Sequence, residues 1–223
     1  MCKLTNEQML RYFIFKDCGF DEEIAKKSYD FVMGNRPEPQ PESKPATELA
    51  DGIYLMYGKL PVAYKGQEIS EKDKEGCTGV GVKSGGKSLV LTLFDIGNDD
   101  RPLTTQKGGT RFITDYHEAA EDMDGKAATD DIRDILNMGI TDEEYVPSLG
   151  ELYFILAHFT QINAALKAVG GEPLHNDWYW SSTQYSATNA WLLYLTNGLA
   201  GGGTKAAYQY RVRPVSAFLP LNS

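Results

Sequence analysis

The chain has 223 residues, 42% of them hydrophobic and 24% charged, enough to bury a core without disulfide or metal staples. Thirty-one acids against 22 bases leave a net charge of −9, which argues against a basic nucleic-acid-binding face and a polybasic membrane surface. Cys2, Cys18 and Cys77 cannot all pair within one chain and form no CxxC, and His117, His158 and His175 lie far apart without HExxH spacing, so neither metal nor cofactor is expected.

In chain order, Met1–Gln8 contains no apolar secretory core, and nowhere is there an apolar run long enough to span a bilayer. No membrane insertion is expected. Residues 5–33 read as two short helices: Thr5 and Gln8 form a capping box, Gly19 stops the first helix, and Gly34 ends the second. A two-helix hairpin rarely buries enough surface to stand alone, so residues 1–35 are expected to be an anchor or homo-oligomerisation module. Four of the ten prolines fall between Pro37 and Pro45, which makes 36–48 a semi-stiff linker and places the main domain at 49–223.

Residues 51–97 read as β-structure. Gly52–Tyr57 is a strand, with Pro61–Tyr64 pairing back after Gly58, and Val80–Val82 and Ser88–Phe94 flank a Ser84-Gly85-Gly86 hairpin turn. Gly86-Lys87-Ser88 lacks both Walker spacing and a following helix, so it reads as a turn. Residues 110–170 read as helical. Thr129, Asp130 and Asp131 cap a predicted helix that ends at Gly139, and Pro147-Ser148 with Glu151 opens another through a second capping box. Asp122-Met123-Asp124-Gly125 fails the calcium-loop frame at its first and twelfth positions, so these acids read as a turn and helix caps. The tail is predicted as short strands at Trp178–Thr183, Ala190–Thr196 and Tyr208–Phe218, with Leu199–Thr204 as a glycine-rich loop.

Tyr179-Trp180-Ser181-Ser182-Thr183, Asn189-Ala190-Trp191, Asn197-Gly198 and Arg211-Val212-Arg213-Pro214-Val215 form an ordered series. The series resembles the C-type-lectin-fold variable proteins of diversity-generating retroelements and the related lectin-like C-terminal domain of bacterial collagen-like adhesins. Pro147–Leu152 and Asn163–Leu166 fit the helices that precede it. The likeness covers about 50–223 and is sharp from 146 on. Gln184 departs from it, since an acid often follows the Ser-Ser-Thr. The resemblance implies an α+β, C-type-lectin-like fold with small antiparallel sheets, two or more helices and long loops. It also implies a ligand-binding face on the C-terminal strands and loops, diversified at adenines of AAY codons. Such codons cannot become Trp, Gln, Lys, Met or Glu. Leu192–Thr204 and Ala206–Tyr208 contain none of these types, whereas Trp191, Lys205 and Gln209 do.

Strand alternation sorts the positions further. With Trp191, Leu193 and Leu195 inward, Leu192, Tyr194 and Thr196 face out. The expected ligand-binding residues are Trp178, Tyr185, Leu192, Tyr194, Leu199, Gly201, Gly202, Gly203, Ala206, Ala207 and Tyr208. Trp180 and Trp191 are expected in the core, and Arg213 is expected to be buried against loop carbonyls. The fold superfamily also includes formylglycine-generating enzymes, whose chemistry uses a cysteine pair near the C-terminus. The last cysteine here is Cys77 and no catalytic triad is legible, so no enzyme is expected. Calcium-dependent sugar motifs are also missing, since Glu172-Pro173-Leu174 does not match them. The expected function is binding of a protein or cell-surface ligand, as a phage, prophage or bacterial surface adhesin. A structural subunit of a surface or virion assembly is the alternative.

Overall fold

A computed structural model describes residues 49–98 and 100–218. The expected hairpin at 1–35 and the linker at 36–48 lie outside the described residues. The described residues belong to one compact unit that begins at Leu49.

The unit is α+β, with two antiparallel sheets and few helices. The strands are β1 (Gly52–Tyr57), β2 (Leu60–Tyr64), β3 (Gly79–Ser84), β4 (Lys87–Leu91), β5 (Glu144–Tyr145), β6 (Trp178–Gln184), β7 (Asn189–Tyr194), β8 (Leu199–Thr204) and β9 (Val215–Ser216). The helices are α1 (Glu71–Gly76), α2 (Tyr116–Glu121), α3 (Gly125–Asp130), α4 (Leu149–Ala157) and α5 (Phe159–Ala168). One sheet runs β2-β1-β3-β4-β9-β5 and the other β6-β7-β8.

Both faces of the large sheet carry buried side chains. Ile53 and Leu55 of β1 join Val80, Val82, Leu89 and Leu91 in a core shared with Leu149, Leu152, Ile155, Ile162 and Leu166 of α4 and α5. Tyr54 and Met56 point the other way and pack with Phe218. A side chain at Gly81 would collide with the Phe218 ring, so glycine there seats the ring against the strand.

The helix signals near 148 and 170 act as local chemistry requires. Ser148 Oγ accepts from the Glu151 N–H at 3.2 Å, and Glu151 Oε2 accepts from the Ser148 N–H at 2.8 Å. Gly170 takes φ 77° past the end of α5, and the Gly171 N–H closes the end on the Leu166 carbonyl at 2.9 Å. His158 separates the two helices, ending α4 and preceding α5.

Three expectations fail, each for a tertiary reason. The helix placed from Thr129 to Gly139 is instead the end of α3 followed by a 3₁₀ turn at Arg133–Ile135. Asp124 caps α3 by accepting from the Ala127 N–H, while the Thr129 hydroxyl donates to the Val146 carbonyl at 3.1 Å and accepts from its N–H at 3.0 Å. The threonine that looks like a cap therefore ties two segments together. The strand placed at Tyr208–Phe218 shrinks to β9 with single bridges at Tyr210 and Arg211, because this segment crosses from the small sheet to the large one. The glycine loop at Leu199–Thr204 is β8, paired along its length with β7. A Cβ at Gly203 would lie 2.9 Å from the Trp180 ring and 3.0 Å from Leu192, so glycine lets the indole close on the strand.

Candidate functional site

The small sheet carries most of the expected ligand-binding residues. Cross-strand pairing aligns Trp178, Tyr194 and Leu199 on one row, and Trp180, Leu192 and Gly201 on the next. Alternation puts both rows on the same face. At its outer end the rings continue: Trp178 lies 5.3 Å from Tyr194 and 6.4 Å from Tyr210, and Tyr210 lies 6.2 Å from Tyr208. Leu199 is 57% exposed and Tyr208 52% exposed, while Trp178, Tyr194 and Tyr210 are half-buried. A Cβ at Gly201 would lie 3.4 Å from the Trp178 ring, so glycine there leaves that part of the indole open. The structure thus gathers Trp178, Tyr194, Leu199, Gly201 and Tyr208 into one aromatic row. Tyr210 completes it; the i, i+2 repeat of Tyr208 and Tyr210 is the signal that could have found it.

Other expected members go elsewhere. Leu192, expected to face out, is 3% exposed and packs with Trp180, Ala190, Leu103, Ile132 and Val212. The inference from alternation fails because this sheet is covered on both faces: Leu193, Leu195 and Tyr179 enter the core shared with the helices. Gly203 is also buried. Tyr185 belongs to the opposite face, 5.5 Å from Trp191, which in turn lies 6.2 Å from Tyr116. Gly202 opens onto that face too, paired with Trp191. Trp191 is half-buried, not fully core; its indole N–H donates to the Ile113 carbonyl at 2.8 Å. Ala206 and Ala207 are exposed in the turn after β8, where the Ala207 and Tyr208 N–H groups donate to the Thr204 carbonyl.

Buried polar groups hold this sheet in place. The Arg213 Nε donates to Asp95 Oδ1 at 2.6 Å, and its Nη1 and Nη2 donate to the carbonyls of Thr92 and Glu172. Asp95 is 4% exposed, and its Oδ2 accepts from Arg211 Nη1 at 3.1 Å and from the Tyr179 hydroxyl at 3.0 Å. Sequence separation hid the pairing. Glu172 and His175 adjoin it, and ligand atoms of the three fall within 4.8 Å of one another. The cluster is a poor fit for a cation, because both Asp95 oxygens already accept from guanidinium groups and the Glu172 carboxylate meets the His175 ring at 2.6 Å. A hollow of about 670 Å³ on the large sheet, lined by Met56, Val90, Lys126, Glu144 and Ser216 among others, offers little free chemistry. Lys126 is paired with Asp130, and Glu144 accepts from the Thr141 N–H.

Gln184 explains its own departure from the resembled motif. Its amide donates to Asp131 Oδ2 at 2.7 Å and accepts from the buried Lys205 ammonium, linking an anion to a cation with one neutral group. Burial pushes the Asp131 carboxyl up, but donation from the Arg111 N–H, the Thr110 hydroxyl and N–H, and Gln184 outweighs it and brings the pKa to about 2. Burial lowers Lys205 to about 8 despite the opposing pull of Asp131. The folded pKa of Asp131 lies below the unfolded value of about 3.9, so its stabilisation is complete above pH ~4 and is lost as pH falls towards 2. Asp131→Asn should lower stability at neutral pH and flatten the loss between pH ~4 and ~2, as read by urea unfolding at stepped pH. An unchanged acid limb would refute the assignment.

No family model and no curated protein matches the chain. Among solved structures it is similar to a fimbrial protein from Bacteroides ovatus ATCC 8483, with 18% identity over 75% of this chain and a TM-score of 0.48. The match spans 48% of that protein, so this chain corresponds to about half its length. Among the described residues no helix is long and apolar enough to cross a membrane.

Proposed function

We propose that the chain is a non-enzymatic recognition module, a C-type-lectin-like head that binds a protein or cell-surface ligand through the row Tyr194–Trp178–Tyr210–Tyr208 with Leu199. The observation that carries this reading is the row itself. Four rings follow one another at 5.3–6.4 Å on the outer end of a sheet whose residues 178–210 hold one charged side chain, Lys205, and that side chain is buried. Uncharged aromatic surface of this kind is the composition of binding hot spots. Buried Trp180 and Arg213 position the strands, so contact and stability fall to different side chains. Diversification, on this reading, is confined to Tyr194, Leu199, Gly201, Gly202, Ala206, Ala207 and Tyr208. Leu192 and Gly203 are fixed by packing.

Tyr208→Ala, at an exposed site, should cost about 0.5 kcal/mol of stability and Tyr194→Ala, half-buried against Trp178, about 1 kcal/mol, while each should weaken binding by about 1–2 kcal/mol as an anchor. The measurement is binding of the wild type and the double variant to an array of neutral glycans and surface proteins, with thermal unfolding in parallel. Equal retention of every hit by the double variant would sink the reading. A reverse-transcriptase gene and a template repeat matching codons 178–215 beside the coding sequence would establish diversification, and their absence would remove it.

A further inference from the structure

The second feature of the small sheet is its free edge. Among the described residues β8 is the outer strand, and its only sheet neighbour is β7. The Lys205 N–H donates to the Thr188 carbonyl at 2.9 Å, which fixes the phase of the ladder. Gly203 and Gly201 therefore turn their backbone groups towards β7, as does Leu199, whose N–H donates to Asn197 Oδ1, while Ala200, Gly202 and Thr204 point theirs away from it. The Thr204 carbonyl already accepts from Ala207 and Tyr208. The N–H and C=O of Ala200 and Gly202 remain without a partner among the described residues.

Edge strands are commonly guarded by a charge, a proline, a bulge or a covering segment. β8, Leu-Ala-Gly-Gly-Gly-Thr, has none of the first three, pairs with β7 without a register shift, and leaves Gly202 exposed with nothing within 4 Å of a built Cβ. The surroundings select the occupant. Two molecules of net charge −9 repel wherever charged surfaces meet, and residues 178–210 offer an uncharged surface on which they can approach.

We propose that β8 is a self-association edge, pairing antiparallel with β8 of a second copy about a two-fold axis at Gly201. In this register Ala200 of each copy faces Gly202 of the other, and their free groups form four hydrogen bonds without drawing on Thr204. The pair at the axis is Gly201 against Gly201, a non-hydrogen-bonded position where backbones approach most closely and side chains would crowd. Leu199, 57% exposed, comes to lie beside Gly203 of the other copy, which carries no side chain to obstruct it. The axis is perpendicular to the sheet. It joins two three-stranded sheets into one of six and leaves both aromatic rows on the same side, so a surface displaying repeated ligands is held at two points. The interface is separate from any association through residues 5–33. Pairing along six residues buries less than the roughly 800 Å² per partner of a standard interface, so the association is weak and concentration-dependent.

The test is sedimentation velocity of the full chain from low to several hundred micromolar, with Gly202→Pro alongside. The variant loses an outward N–H and places a ring on the edge while sparing the β7 ladder. The wild type should shift from monomer to dimer, and Gly202→Pro should need at least about tenfold higher concentration. Should that variant misfold, Gly201→Cys gives an independent reading. Oxidation should trap it as a covalent dimer well above the wild-type background, and Gly139→Cys, at an exposed glycine with open space around it, should not. A wild type that stays monomeric throughout, a dimer indifferent to Gly202→Pro, or a Gly201→Cys yield no higher than Gly139→Cys overturns the proposal. A monomer whose β8 amides gain exchange protection only on adding an uncharged extended peptide overturns it in favour of a foreign strand. None of these readouts needs the ligand, so failure here leaves the recognition reading to its own test.

Discussion

Arg213→Met should destabilise the head by about 3–5 kcal/mol, the range for breaking a buried ion pair from one side. The Arg213 side chain is 0% exposed and that of Asp95 1%. The substitution leaves the Asp95 carboxylate with only Arg211 and Tyr179, and strands the carbonyls of Thr92 and Glu172 that Arg213 now serves. For a domain of this size the change corresponds to a fall of roughly 10 °C in melting temperature. Arg213→Lys should recover only part of it, because an ammonium cannot reproduce the planar fork that reaches a carboxylate and two carbonyls at once. Urea unfolding of the three proteins checks the order. A loss under about 1 kcal/mol for Arg213→Met would mean that Arg211 alone neutralises Asp95.

Trp180→Ala should cost a similar amount, about 3–5 kcal/mol, as a large truncation in a closed core. Trp180 is fully buried, its indole N–H donates to the Arg101 carbonyl at 2.8 Å, and Tyr210 packs edge-on at 5.3 Å. It also sits against Gly203, which gives the prediction a second arm. Gly203→Ala in the wild type forces a Cβ to within 2.9 Å of the ring and should cost about 1–3 kcal/mol by overpacking. In the Trp180→Ala background the same change meets a cavity and should cost less, so the double-mutant cycle should show a coupling of about 0.5–3 kcal/mol. Strict additivity would show that glycine at 203 answers to something other than the indole. Trp191, expected in the core from the sequence, is half-buried and should be the milder truncation of the two.

The sequence by itself determined what short-range chemistry controls. Gly52–Tyr57, the hairpin at Gly85-Gly86 and the start of α4 at Ser148 were legible because turn glycines and capping boxes act within a few residues of themselves. Arg213 was legible as a buried arginine on carbonyls because an arginine tucked beside Pro214 has few other uses, although its anion, Asp95, lies 118 residues away in the chain. Tertiary structure alone decided which face of β7 is open. Alternation assumes one wet face, and here Leu192 and Leu193 both meet cores, so Leu192 left the candidate site. It also decided that the run of glycines is a strand: nothing local distinguishes a flexible glycine loop from an edge strand kept bare for the indoles of Trp178 and Trp180. The aromatic row was half legible for the same reason. Its members follow from composition, but their contiguity depends on the bridge that brings the 208–211 segment alongside β6, a long-range pairing that leaves no periodic mark in the chain.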